Sequence, residues 1–134
     1  MKKRSGGQAL AEFALVIPLL VLLFMIIFDF GRLIYAYNTV SNAARAGARA
    51  AVVDQNTTII DDRVRTTLLG LPSAAATVVY TRPGCPTPPK IGCDSMVKVS
   101  YPWSPITPMI GRIFGPVTVE ATATMPLERV YSTP

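Results

Sequence analysis

From Phe13 to Phe28 the chain reads FALVIPLLVLLFMIIF, sixteen residues without a charge. A helix of that length covers about 24 Å at about 1.5 Å per residue. Taking in Ala9, Leu10 and Ala11 extends it to about 30 Å, the hydrocarbon thickness of a bilayer. Glu12 is the one charge inside that longer span. So apolar a helix has almost no polar face to turn to water, which makes a membrane span a better fit than a core helix.

Charge placement gives the span a direction. The chain has 13 Lys+Arg against 8 Asp+Glu, a formal charge of +5. Lys2, Lys3 and Arg4 precede the apolar run, whereas Asp29 and a lone Arg32 follow it. The positive-inside rule then predicts a single-pass protein of the inner (cytoplasmic) membrane, N-terminus in the cytoplasm and everything beyond about residue 30 outside. Because the basic surplus lies beside the span and not on the folded part, no nucleic-acid partner is expected. A basic start before an apolar run is also the layout of a secretory signal peptide. Asp29-Phe30-Gly31-Arg32, however, has no small-x-small cleavage site.

The residue inventory closes off most catalytic chemistry. There is no histidine, hence no imidazole base or ligand, and two cysteines cannot complete a four-ligand zinc cage. No phosphate-cradling glycine loop, nucleophile elbow or acidic metal cluster appears. The expectation is a non-enzyme with no cofactor and no metal.

Glu12 is the anomaly. A carboxylate at the centre of a bilayer costs about 2.5–3.5 kcal/mol, less near an interface. It either sits shallow and snorkels to the cytoplasmic headgroups or serves a purpose inside the membrane. Its surroundings read Gly6-Gly7-Gln8-Ala9-Leu10-Ala11-Glu12-Phe13. A glycine, four residues, then Glu and an aromatic at a helix entry resembles a type IV prepilin processing site. Together with the small-residue stretch Ala43-Ala44-Arg45-Ala46-Gly47-Ala48-Arg49-Ala50-Ala51, it resembles the TadE-like family, the pseudopilins of tight-adherence (Flp-type) pilus systems. The resemblance covers roughly the first fifty residues.

That resemblance implies cleavage after Gly7 by a membrane prepilin peptidase, leaving Gln8 as the mature N-terminus. It also implies pilin or pseudopilin subunits and pilus assembly machinery as partners. Glu12 and Phe13 would then set subunit register, because a new amine at Gln8 stands one helical turn from Glu12. A bundled carboxylate without a cation is expensive, and a neighbouring subunit's amine would satisfy it. The contrasting readings are a membrane anchor that never polymerises, whose head binds envelope or secretion components, and a secreted module.

Phe30, Leu33, Ile34, Tyr37, Val40, Ala44, Ala48 and Ala51 recur at helical steps, and no proline falls between Pro18 and Pro72. One helix over about 9–52 is predicted, with Pro18 kinking its membrane half. Its small-residue face (Ala43, Ala44, Gly47, Ala48, Ala51) either packs under the chain's own head or admits another subunit's backbone. Arg45 and Arg49 need acids opposite, either Asp54, Asp61 and Asp62 or a patch on another subunit.

A second helix is expected after Asn56, capped by Thr57 or Thr58, with Ile59, Ile60, Val64 and Leu68 apolar and Gly70 and Pro72 ending it. After Pro72 the period changes: Thr77–Thr81, Met96–Tyr101 and Val117–Thr124 read as antiparallel strands. The latter two alternate through Val97, Val99, Tyr101 and Val117, Val119, Ala121, Ala123, with one face of the sheet against the helices. The proline-rich segment from Pro102 to Gly115, which holds Trp103, reads as a loop. Outside the cytoplasm Cys85 and Cys93 are expected to pair. The predicted fold is pilin-like α+β: leader 1–7, transmembrane helix 8–30, its extension 31–53 and a small head 54–134.

Overall fold

The structure, a computed structural model, describes residues 6–107, 111–112 and 115–130. Lys2, Lys3 and Arg4, on which the orientation rests, lie outside the described residues. The expected α+β architecture is found. Helix α1 runs Gly6–Val53, 48 residues with Pro18 inside, a rod of about 72 Å. Helix α2 (Thr57–Thr67) follows, then a short 3-10 turn (Ser73–Ala75) and three strands, β1 (Thr77–Thr81), β2 (Asp94–Trp103) and β3 (Val117–Pro126). They form one antiparallel sheet in the order β1-β2-β3.

The C-terminal half of α1 is the floor of the head. Ala36, Val40, Ala43, Ala44, Ala48 and Ala51 are buried there against Ile60 and Val64 of α2, Leu68, and Val97, Val99, Tyr101, Trp103, Val119 and Ala123 of the sheet. Small residues on α1 bring its backbone close to these larger side chains. Full burial of a valine or isoleucine contributes about 1.5–3 kcal/mol, so Ile60, Val64, Val97 and Val99 do much of the stabilising. Tyr35 ties the far side by donating its hydroxyl to the Leu69 carbonyl at 2.8 Å. Arg129 lies back against the end of α1: its amide donates to the Val52 carbonyl at 3.3 Å, and Gln55 Nε2, just past the helix, donates to its carbonyl at 2.8 Å.

Several expectations are corrected. Asn56, not Thr57 or Thr58, caps α2: its Oδ1 accepts from the Thr58 amide. Asn outranks Thr as a cap, and at this position its side chain reaches the second helical N–H. Ile59 is exposed beside buried Ile60, because an eleven-residue helix on one surface buries only a narrow stripe. Val40, Ala44, Ala48 and Ala51 of the expected α1 stripe are buried, but Phe30, Ile34 and Tyr37 are exposed, and Ala36, Thr39 and Ala43 take the buried side with them. Pro102 and Trp103 end β2 and do not begin the loop, pairing with Thr118 and Val117. Val117, placed on the inner face by its alternation, is exposed at the strand's start.

Candidate functional site

The site is the spine itself, whose two halves face different surroundings. Phe13, Leu15, Leu19, Leu23, Phe24 and Phe28 are each more than half exposed. Among the described residues α1 is the one helix long and apolar enough to cross a membrane, and its most apolar eighteen-residue window has none of its residues buried in the head. A soluble protein's core helix would be covered. Exposed apolar surface on this scale marks a membrane or protein contact.

At the entry, Gly7 and Gln8 lie in the first turns of α1. Among the described residues a Cβ added at Gly7 would meet nothing within 4 Å, so their packing does not require glycine there. Glu12 and Phe13 are exposed. The Gln8 side-chain amide donates to Glu12 Oε1 at 3.3 Å across one turn, so helical spacing does bring residues 8 and 12 together.

The small-residue face lies at the opposite end and is already occupied. Ala43, Ala44, Gly47, Ala48 and Ala51 are all buried. Gly47 is required by packing: a Cβ there would stand 2.5 Å from Val64 Cγ2 and 3.1 Å from Val97 Cγ1. This face holds the chain's own head. Arg45 donates to Asn42 Oδ1 at 2.8 Å. Among the described residues no ion pair joins Arg45 or Arg49 to Asp54, Asp61 or Asp62. Two of those acids have other partners: Asp61 is 2.6 Å from Arg65 Nε, and Asp54 Oδ1 accepts from the Asn56 amide.

Where span and head meet, Asp29 is only 3% exposed. Its Oδ1 accepts from the Ile106 amide at 3.0 Å and its Oδ2 from the Thr107 amide at 2.9 Å; Arg32 Nη1 stands 3.5 Å away. The carboxylate therefore fastens the segment after β2 to the end of the apolar run. Sequence reasoning used Asp29 only as a charge marker, since no local pattern pairs residue 29 with residue 106. Ser95 was missed for the same reason. It is fully buried, and its hydroxyl donates to the Met125 carbonyl at 2.9 Å.

Ion pairs at the head's surface join Arg65 to Asp61 and Lys98 to Glu120. The hydrogen bond to Asp61 raises the Arg65 guanidinium above its ordinary value, and Arg65 Nη1 also donates to the Ser73 carbonyl at 2.6 Å. Lys98, then Ser100, donate to Glu120 and hold its carboxyl below the usual range. Burial pushes the Tyr80 hydroxyl up, opposed by nearby Arg82. Cys85 and Cys93 are bridged, with α-carbons 5.6 Å apart. Among the described residues no group of three potential metal ligands converges.

An apolar rod, bare over one half and clamped under a small head over the other, is the pattern to be matched. Residues 7–49 match the TadE-like protein family. No curated protein and no solved structure matches the chain. The TadE-like match opens at Gly7 and ends inside α1 at Arg49, so it covers the spine and leaves out the head. The TadE-like family is pilus-associated and structural in kind.

Proposed function

We propose that the chain is a structural or assembly subunit, a minor pilin or pseudopilin, of a tight-adherence pilus. It is inserted with its N-terminus in the cytoplasm, trimmed after Gly7 by a prepilin peptidase and assembled through α1. The observation that carries this reading is that the TadE-like match runs along the spine, whose first half is bare. In the membrane, lipid covers the Phe13–Phe28 surface. In a filament, neighbouring spines replace lipid with protein of similar polarity, so transfer between the two surroundings costs little. Glu12 gives that exchange a register, because a carboxylate moved out of reach of headgroups and water needs a cation. The amine freed at Gln8 of an adjacent subunit supplies one.

A second reading draws support from the burial of Ala43, Ala44, Gly47, Ala48 and Ala51. With this close-packing face spent on its own head, the chain could be a bitopic anchor that never polymerises and whose head binds envelope or secretion components. The mature N-terminus separates the two. Mass spectrometry of native protein should find Gln8 first; an intact Met1 rejects processing and favours the anchor. A start beyond Phe28 rejects both.

A further inference from the structure

We propose that the segment following β2 is a second membrane contact, in which Asp29 holds Ile106 at the outer boundary of the bilayer and its side chain inserts among lipid acyl chains. This rests on α1 being the membrane span.

The depth of Ile106 follows from the hydrogen bonds. Asp29 directly follows Phe28, the last residue of the uncharged run. The Ile106 amide is 3.0 Å and the Thr107 amide 2.9 Å from the Asp29 carboxylate. Any placement that puts Phe28 at the edge of the hydrocarbon therefore puts Ile106 within a few ångströms of the same level.

Two further features fit a lipid contact. Ile106 is 58% exposed, although its own backbone N–H is spent on a buried acceptor. Between it and α1 lies an apolar cleft of about 460 Å³, walled by Val21, Phe24, Met25, Phe28 and Ile106. The seven steps from Val21 to Phe28 carry that wall about 10 Å down the span, so the cleft is continuous with the lipid-facing surface. Water is a poor occupant for such walls; acyl chains at the boundary are of matching polarity.

Asp29 makes the arrangement tolerable. A bare carboxylate at this depth would be costly to desolvate, but two backbone N–H donors stand in for water and shield it. The same bonds satisfy two amides that lie past the end of β2, outside its ladder. Asp29 is in this sense a positioning residue: it touches no lipid itself, and it decides where Ile106 lies.

Fluorescence quenching by spin-labelled lipids tests the proposal on the full chain in phosphatidylcholine vesicles. Trp103 is the sole tryptophan, so Trp103→Phe clears the background and Ile106→Trp or Leu20→Trp then serves as reporter. Ile106→Trp should lose more fluorescence to a label near the headgroup than to one at mid-chain, and Leu20→Trp the reverse. Adding Asp29→Asn, which offers one acceptor oxygen where two are used, should reduce quenching at 106 and leave it unchanged at 20. If Ile106→Trp is quenched by neither label while Leu20→Trp is, the loop faces water or another protein and the proposal is overturned with the span intact. If Leu20→Trp also escapes, the span fails and takes the proposal with it. Unchanged quenching at 106 in the Asp29→Asn chain would overturn the role of Asp29.

Discussion

Gly47 on α1 faces Val64 on α2 so closely that one added methyl would stand 2.5 Å from Val64 Cγ2. Valine has one strongly preferred side-chain rotamer in a helix, so Val64 cannot simply swing away. Val97 Cγ1, at 3.1 Å, closes the other side. Gly47→Ala should therefore destabilise the head by about 1–3 kcal/mol, the usual range for overpacking. Gly31→Ala is the control, because it lies in the same helix with nothing within 4 Å of the added carbon; helix propensity alone should stabilise it by up to about 1 kcal/mol. Chemical unfolding of the two variants in detergent should move in opposite directions. Equal shifts would mean that α1 and α2 are not in close contact at this point.

What could be read from the chain beforehand divides along a physical line. The apolar run, the change of period after Pro72 and the alternation of Val97, Val99 and Tyr101 are local signals, and all three elements are found where those signals lie. Which side of the α1 extension faces the head is not local. Phe30, Ile34 and Tyr37 are apolar at helical spacing and yet exposed, whereas the smaller Ala36, Ala43 and Ala48 are buried. Periodicity weighs residues by polarity, but this interface selects by size, since close approach of α2 and the sheet needs small side chains. Asp29 and Ser95 were illegible for another reason: their partners lie 77 and 30 residues away. The entry motif at Gly7 and Glu12 is the reverse case. Nothing in the packing explains it, and sequence alone singled it out.

The Glu120 carboxyl should titrate below the ordinary carboxylate range. Lys98 Nζ lies 2.8 Å from Oε2 and Ser100 Oγ 3.2 Å from Oε1, and both donors favour the charged form. A carboxyl whose folded pKa is depressed favours the fold above its unfolded pKa, and that contribution disappears as pH falls through the lowered folded value. The pair is exposed, so its effect should also shrink with added salt. Carbon-detected NMR titration of the Glu120 side chain provides the measurement. Lys98→Met should bring the midpoint back up toward an ordinary carboxyl, and an unchanged midpoint would remove Lys98 as the cause.

The bridge between Cys85 and Cys93 closes a loop with a sequence separation of 8. Restricting the unfolded chain over so short a loop contributes roughly 2–3 kcal/mol on the chain-entropy account. The bridge also adjoins the return of the chain to the sheet, where the Leu127 amide donates to the Cys93 carbonyl and the Gly92 amide to the Leu127 carbonyl, each at 2.8 Å. Reduction, or Cys85→Ser with Cys93→Ser, should lower the unfolding midpoint without releasing the protein from membranes. Alkylation before reduction that labels both thiols in exported protein would show that no bridge forms.

Glu12→Ala separates insertion from assembly. Removing the carboxylate takes away about 2.5–3.5 kcal/mol of unfavourable transfer at bilayer depth, or less near the interface, so insertion should be undiminished. Among the described residues the partner of Glu12 is the Gln8 side-chain amide at 3.3 Å, a neutral group that does not compensate its charge. Among bundled spines the amine released at Gln8 would compensate it, and losing that pair removes the axial register. The variant should still be trimmed after Gly7, should fractionate with membranes like the parent, and should be depleted from sheared filaments. Glu12→Gln keeps the shape and drops the charge, so depletion there too would identify charge as the cause. Parental levels of both variants in filaments would mean that register is set elsewhere along α1, with the exposed face of Phe30, Ile34 and Tyr37 the next surface to vary.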